Sequence, residues 1–455
     1  MPYHENILSA IGNTPLVKLQ RVVHRNSANL LVKAEFMNPA GSIKDRMALH
    51  IIEKAEKAGH LKPGGTIVEN TSGNTGMGVA LAAAVKGYRC IFTMPDKMSE
   101  EKRNMLRSFG AEVVVTPTNV PADSPESYYE TARRIARETP GSFYLDQYDN
   151  PINIEAHYQS TGAEIWEQTE GKFDAFVAGI GTGGTMSGAG KYFKERNPEI
   201  RNIAVDPIGS VYKALYETGT PSEPHVYKVE GIGEDRICKA MDFTFVDEVR
   251  NCDDRTAFQM SRRLTREEGL FAGGSSDSAV AIAIEVAREL GPDKTVVTIL
   301  PDSATRYISK YFSDDWMKEH GFMASARDPY GKVGDILGDA QEVLVAHAGE
   351  SLSTAVERIR SNGISQLPVL GANDQCTGMI HEVDVLSTLL KGNVSIDDKI
   401  DNFVQPLQGA VNVETPVLKL NEIFNADNVA VVIDEGKVRA VVTKIDLISY
   451  LSKNV

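Results

Sequence analysis

The chain has 455 residues, 42% of them hydrophobic and 24% charged, which is the composition of an ordinary soluble globular protein with room for two or three domains. Asp and Glu number 62 against 48 Lys and Arg, and the net charge of −14 argues against nucleic acid or an anionic membrane as the main partner. No apolar run reaches about 18 residues, and the opening MPYHENILSAIGNTP lacks a basic stretch followed by an apolar one, so neither a membrane span nor a secretory signal is expected.

In chain order, LLVKAEF (30–36) reads as a strand. The turn-rich NPAGSIKDR (38–46) then leads into a helix over 44–59, with Met47, Ile51 and Ile52 on one side and Gly59 as its stop. A lysine at a helix start sits beside the positive end of the dipole. With burial, that placement lowers the pKa of Lys44 toward the neutral amine that attacks carbonyls. Asp45 and Arg46 either pair with other groups or, on the plainer reading, form a solvated pair. TIVEN (66–70) is a strand that enters TSGNTG (71–76) and an Ala-rich helix, MGVALAAAV, expected to be buried on a sheet. RCIFTM (89–94), EVVVT (112–116), DAFVAGI (174–180), NIAVD (202–206) and TVVTIL (295–300) are further strands. β-Branched strands alternating with helices predict an α/β protein whose mainly parallel sheets are covered on both faces.

Three loops follow such strands, where ligands bind in open parallel sheets. TSGNTG offers capping residues and free N–H groups to a carboxylate or phosphate. GTGGT (181–185) reads as a nest for a single phosphate. It also satisfies GxGxxG through Gly179, Gly181 and Gly184, with Asp206 ending the next strand, so a dinucleotide turn stays open on loop chemistry alone. AGGSSDS (272–278) leads into another helix, where Ser275 caps it or donates to a ligand.

Nine segments in one order carry a resemblance: GNTPLVKL (12–19), NPAGSIKDR, TSGNTG, LDQY (145–148), GTGGT, VDPIGS (205–210), EGIG (230–233), AGGSS (272–276) and LPDS (300–303). Over residues 1–322 the chain resembles the fold-type II pyridoxal-phosphate enzymes of the cysteine synthase/cystathionine β-synthase family. That resemblance implies two parallel-type sheet subdomains covered by helices. It implies that Lys44 holds pyridoxal phosphate covalently and serves as the catalytic base. Gly181, Thr182, Gly183, Gly184 and Thr185 would take the phosphate, Asn74 the ring 3-oxygen, and Ser275 the pyridine nitrogen. A neutral Ser there makes a weaker electron sink than an Asp would, which suits β-elimination. Ser42, Thr71, Ser72, Thr75 and Gln147 would meet the substrate, with Tyr148, Gly231 and Gly233 over it. The implied reaction is β-replacement of L-serine by L-homocysteine to give L-cystathionine and water, with H₂S from cysteine or homocysteine as a side reaction. Cysteine synthesis from O-acetylserine is the alternative.

Three features depart from animal members. Glu234 and Asp235 follow EGIG, where an aromatic is common, and this leaves the co-substrate open. A haem-binding N-terminal extension and a CxxC are both missing, so no haem is expected. Cys90, Cys238, Cys252 and Cys376 have no clustered His beside them, so neither disulfides nor a metal site is expected, and a cytoplasmic setting fits. The family implies a homodimer or higher homo-oligomer.

FMASARDPYGK (322–332) breaks the pattern, and residues 323–332 read as a linker. Beyond it, LPVLGANDQCTGMIHEVDVL (367–386) matches VAVVIDEGKVRAVVTKIDLI (429–448), with Asp384 and Asp446 62 residues apart. Each copy reads helix, strand, strand, helix, and one copy buries too little to stand alone. This 333–455 segment resembles a tandem CBS-domain (Bateman) pair of α+β units, divided at about 392 and 393. Such pairs bind adenosyl ligands, so S-adenosylmethionine or an adenosine nucleotide is the expected effector. Thr443 and Asp446 with the Ser365–Gln366–Leu367 strand form the better-equipped cleft, because MIHEVD places His381 where a hydroxyl is wanted.

Overall fold

The computed structural model describes all residues except 1–2, 72, 97, 119, 122, 324–329, 338–342, 372–373, 391–394, 426–427, 435–436 and 455. It falls into two units, Met1–Met323 and Ala324–Val455.

The first unit holds two sheets. In spatial order the larger runs Leu16–Lys18, Asn29–Ala34, Thr295–Leu300, Ala175–Gly179, Arg201–Pro207 and Glu248–Cys252, parallel except for its first pair. The smaller is parallel throughout: Glu112–Thr116, Arg89–Pro95, Thr66–Asn70 and Ser142–Tyr144. The strand period of two sorts side chains between faces. Val177 and Val296 pack with Val280 and Ala283 of the helix Gly274–Leu290. Their neighbours Phe176 and Val297 face the opposite way, toward Met186 and Phe193 of the helix Gly184–Lys194.

The Ala-rich segment lies in the helix Asn74–Lys86, buried from Thr75 through Ala83. It packs on the helix Lys44–Lys57 at Gly78, where an added Cβ would stand 3.0 Å from the Lys44 carbonyl oxygen. The Lys44 helix ends at Lys57, two residues before Gly59, whose φ of +74° suits glycine.

The second unit repeats one topology. Ala346–His347, Gln366–Leu370 and Cys376–His381 form one sheet, and Ala410–Val411, Ala430–Asp434 and Lys437–Val442 the other. In each, a parallel pair is followed by an antiparallel hairpin. The helices are Leu352–Asn362 and Glu382–Leu390 in the first copy, and Lys419–Asn425 and Lys444–Asn454 in the second. The two-residue strand that opens each sheet is an addition to the expected helix–strand–strand–helix order.

The copies exchange their leading segments. Val333, Ile336 and Leu337 enter the second core with Val411, Leu420 and Val432, while Ile400 and Phe403 enter the first with Ala346, Leu352 and Val369. Backbone bonds fix both exchanges: Val333 N–H donates to Thr415 at 2.8 Å and Ile400 N–H to Glu350 at 3.0 Å. Packing thus crosses the sequence division near residue 392. Among the described residues, no helix is long and apolar enough to cross a membrane.

Candidate active site

The glycine-rich loops collect at the carboxyl ends of the strands in the first unit. TSGNTG follows Thr66–Asn70, GTGGT follows Ala175–Gly179, and LPDS ends Thr295–Leu300. NPAGSIKDR follows Asn29–Ala34 after a short 3₁₀ turn.

Lys44 is the first residue of its helix, and the preceding Ile43 supplies no side-chain cap. The segment before it is pinned to LPDS: Ile43 N–H donates to the Pro301 carbonyl at 2.8 Å, and Ser303 N–H to the Gly41 carbonyl at 3.2 Å. Ser42 is fully buried, and its Oγ accepts from Lys44 N–H at 3.3 Å. Burial holds the Lys44 amine below its usual range, and the carboxylates of Asp302 and Glu234 offset this only in part. Of the two readings of Asp45 and Arg46, the structure shows pairing with other groups and not a solvated pair. Asp45 Oδ2 accepts from Ala40 N–H at 2.6 Å, and Arg46 enters a buried ion network with Glu35 and Glu164. Both side chains turn inward because the loop leaves backbone N–H groups and the Glu35 carboxylate to satisfy.

Asp302 is the residue that sequence reasoning missed. As a motif, LPDS points to no site role for its carboxylate. Asp302 Oδ2 accepts from Asn74 Nδ2 and from the Tyr307 hydroxyl, each at 2.7 Å, and its carbonyl accepts from Gly273 N–H at 3.0 Å. It therefore joins the Lys44, Asn74 and Ser275 loops. A buried acid at the end of a parallel strand was the available signal.

GTGGT forms the start of the helix Gly184–Lys194, whose first-turn N–H groups lack intrahelical acceptors. Gly183 has φ +90°, and a Cβ there would lie 2.5 Å from Met241 Cα. A Cβ on Gly184 would lie 2.1 Å from Asn153 Oδ1. Thr182 Oγ1 accepts from Asn153 Nδ2 at 3.2 Å, and Thr185 Oγ1 lies 3.3 Å from His157 Nε2. Burial holds the His157 imidazole well below its ordinary value, and Lys44 adds to this. His157 is a second residue not foreseen. Across the cradle, a Cβ on Gly181 would come 3.0 Å from the Gly231 carbonyl, and one on Gly231 would come 3.6 Å from Ser275 Oγ. Gly231 and Gly233 have φ of +89° and +75°. Ser275 is buried in the first turn of its own helix.

On the other side, Thr71 Oγ1 accepts from the N–H groups of Gly73 and Gly76, both at 3.1 Å. Thr75 Oγ1 donates to Gln147 Oε1 at 2.6 Å, and Gln147 Nε2 to the Asn70 carbonyl at 3.1 Å. Tyr148 is buried, its hydroxyl 3.3 Å from that of Tyr128. Ser72 lies outside the described residues.

A buried amine, a glycine-walled helix N-terminus and a buried hydroxyl facing it fit a phosphate-bearing aldehyde such as pyridoxal phosphate. Lys44 would hold its aldehyde carbon, residues 181–185 its phosphate, and Ser275 its ring nitrogen. Among the described residues, no group of three or more His, Cys, Asp or Glu could hold a metal ion.

In the second unit, Asp446 Oδ2 accepts from the Thr443 N–H at 2.8 Å and hydroxyl at 2.5 Å. A cavity of about 460 Å³ beside Asp446 is lined by Asp335 and Ile336 of the exchanged leader and by Ser449, Tyr450 and Lys453. Ser365, Gln366 and Leu367 are not among that lining. Leu367 is fully buried in the first core, and Gln366 Oε1 accepts from Val429 N–H at 3.1 Å.

Residues 7–302 match the family of pyridoxal-phosphate dependent enzymes, and residues 333–391 match the CBS domain. The chain is 42% identical to "Cystathionine beta-synthase" of Mus musculus over 439 residues, 94% of this chain and 78% of that one. It is 46% identical to "Cysteine synthase" of Staphylococcus aureus over 314 residues, 68% of this chain and 98% of that one. Among solved structures, an O-acetylserine dependent cystathionine beta-synthase from Helicobacter pylori matches with a TM-score of 0.63 and 35% identity, covering 68% of this chain and 99% of that one.

Proposed function

We infer the activity from one premise: the chain belongs to the family of pyridoxal-phosphate dependent enzymes, among the cystathionine β-synthases. It catalyses β-replacement, joining L-serine and L-homocysteine into L-cystathionine and water. The observation that carries the reading is Lys44, an amine whose affinity for its proton is lowered by burial, at a helix start beside a glycine-walled phosphate cradle.

Bound pyridoxal phosphate supplies the electron sink that acidifies Cα. The protein's own groups do the rest. Lys44 takes the proton from Cα and later returns it, a general base whose amine must be neutral at the start. Asp302 keeps Asn74 and the Lys44 loop in register. The hydroxyls of Thr71 and Thr75 with the Gln147 amide orient the substrate carboxylate, and Tyr148 helps exclude water. Ser275, lacking a charge, limits how much negative charge the ring can draw, which favours elimination at Cβ over reactions that need a longer-lived carbanion.

A second reading is cysteine synthesis from O-acetylserine, favoured by the similarity to cysteine synthase over the first unit. Product identification from serine with homocysteine decides between them, with kcat/KM compared against O-acetylserine with sulfide. Cystathionine as the preferred product supports the first reading, and cysteine the second. Lys44→Ala should abolish both reactions and the visible absorbance of the bound cofactor. Cysteine or homocysteine alone would release H₂S by the same steps.

For the second unit, the reading is an adenosyl effector such as S-adenosylmethionine, its ribose hydroxyls held by Asp446. Calorimetric titration should show heat with the parent and none with Asp446→Ala. No heat with the parent overturns it.

A further inference from the structure

Asp302 ties the two sheets of the first unit together at the site. It stands just past the strand Thr295–Leu300 of the larger sheet, and Asn74 opens the helix that follows Thr66–Asn70 of the smaller. The bond from Asn74 Nδ2 to Asp302 Oδ2 spans them at 2.7 Å. Among the described residues it is the one hydrogen bond that holds the Asn74 amide.

The carboxyl has no freedom to move. Asp302 is 1% exposed, and its backbone is held by a bridge to Ser42 and by the Gly273 N–H on its carbonyl at 3.0 Å. The Tyr307 hydroxyl donates to the same Oδ2 at 2.7 Å. Gly273 makes the room. Its φ of −81° is one that any residue adopts, yet a Cβ there would lie 2.1 Å from Asp302 Oδ1 and 2.8 Å from the Tyr307 ring. The carboxyl, not the backbone, is what requires glycine at that position. A carboxylate accepts and does not donate, so the end of the Asn74 amide that faces it is the NH₂ end. Turning the amide over would set its oxygen against Asp302 Oδ2 with no proton between them. One N–H is committed to Asp302, and the same nitrogen carries a second.

We propose that Asp302 is a positioning residue that acts through Asn74: it locks the amide so that an N–H, and not the carbonyl, meets the 3-oxygen of bound pyridoxal phosphate. The inference rests on the reading of Asn74 as the partner of that oxygen. A donor there favours the ring oxygen without its proton, the form that absorbs in the visible and draws electrons from Cα. A carbonyl there favours the oxygen with its proton, which absorbs in the near ultraviolet. Asp302 thus sets the electronic state of the cofactor without touching it.

The test reads the resting spectrum and the cofactor affinity of the full chain, neither of which is turnover. D302A should move part of the visible band into the near ultraviolet and weaken the rebinding of pyridoxal phosphate by about tenfold. D302N, which keeps an oxygen for Asn74 and Tyr307, should keep the parent band. N74A should shift the band as D302A does, and adding D302A to N74A should shift it no further. Urea midpoints report on folding separately. A D302A protein with the parent band, a D302N band shifted as far as that of D302A, or a further shift in the double variant overturns the proposal. If N74A keeps the parent band, the reading of Asn74 fails first and takes the proposal with it. One measurement does not need D302A to fold. With nitrogen-15 in the asparagine side chains, one amide proton of Asn74 should lie downfield with and without pyridoxal phosphate, and the other should move downfield only when it binds. Movement of both, or of neither, also overturns the proposal.

Discussion

At Asp302 one carboxylate accepts from the Asn74 amide and the Tyr307 hydroxyl, while its backbone holds the Ser275 loop. Asp302→Ala strands both donors in a buried place, at about 1–3 kcal/mol for each. We expect a lower urea midpoint and weaker cofactor retention, with Lys44 losing a carboxylate that supports its protonated form. Glu69 acts from further back. It is fully buried under the Gln147 turn, where it accepts from Asp146 N–H at 2.7 Å, and burial raises it from 4.5 to about 8. A raised acid pKa means that the folded state binds the proton more tightly than the unfolded one. Its stabilising contribution is then full below 4.5 and is lost as pH rises through about 8. Glu69→Gln should remove part of that decline, read as denaturant midpoints across this range. Neither acid's role was legible in the sequence. Each depends on partners brought from distant segments: position at a strand end marks such an acid as worth noting, but not what it will bond.

Elements were legible where chemistry repeats locally. TIVEN, EVVVT and TVVTIL are strands with the expected bounds, because short β-branched runs favour the extended backbone whether buried, as in TIVEN and TVVTIL, or at a sheet edge, as in EVVVT. Leu16–Lys18 and Ser142–Tyr144 are too short for a period to register, and Glu248–Cys252, an EVRNC edge strand, is too polar. The glycine loops were legible because close approach leaves glycine as the option, as Gly183 and Gly184 demonstrate. The same logic applies between helices at Gly78. Alanine there gains about 1 kcal/mol of helix propensity. Its methyl meets the Lys44 carbonyl at 3.0 Å and Asp45 Cα at 3.1 Å, both backbone atoms that cannot swing aside. Overpacking of this kind costs about 1–3 kcal/mol, so the clash should outweigh the propensity gain. Gly78→Ala should lower Tm slightly and kcat more, since the two helices carry Lys44 and Asn74, and Gly78→Val should do both more strongly.

For the molecule as a whole, the core clusters sort by unit. Those of Met1–Met323 contain no described residue beyond Met323. Truncation after Met323 should therefore leave a folded β-replacement enzyme. Truncation after His320 removes Phe322, whose ring lies 5.1 Å from that of Phe258, and should lower Tm. Steady-state rates and melting curves of the two shortened chains check both statements.

The exchange of leaders has a consequence for how the second unit comes apart. The segment Val333–Ile336 belongs by sequence to the first copy and by packing to the second, and Ile400–Phe403 does the reverse. A protease that nicks the chain between Leu390 and Ser395 would produce two pieces that remain clasped, each gripping the other by its leading end. Separation would require denaturant rather than dilution. Neither piece alone would be a domain, so the duplicated stretch of sequence and the smallest body able to fold are different objects.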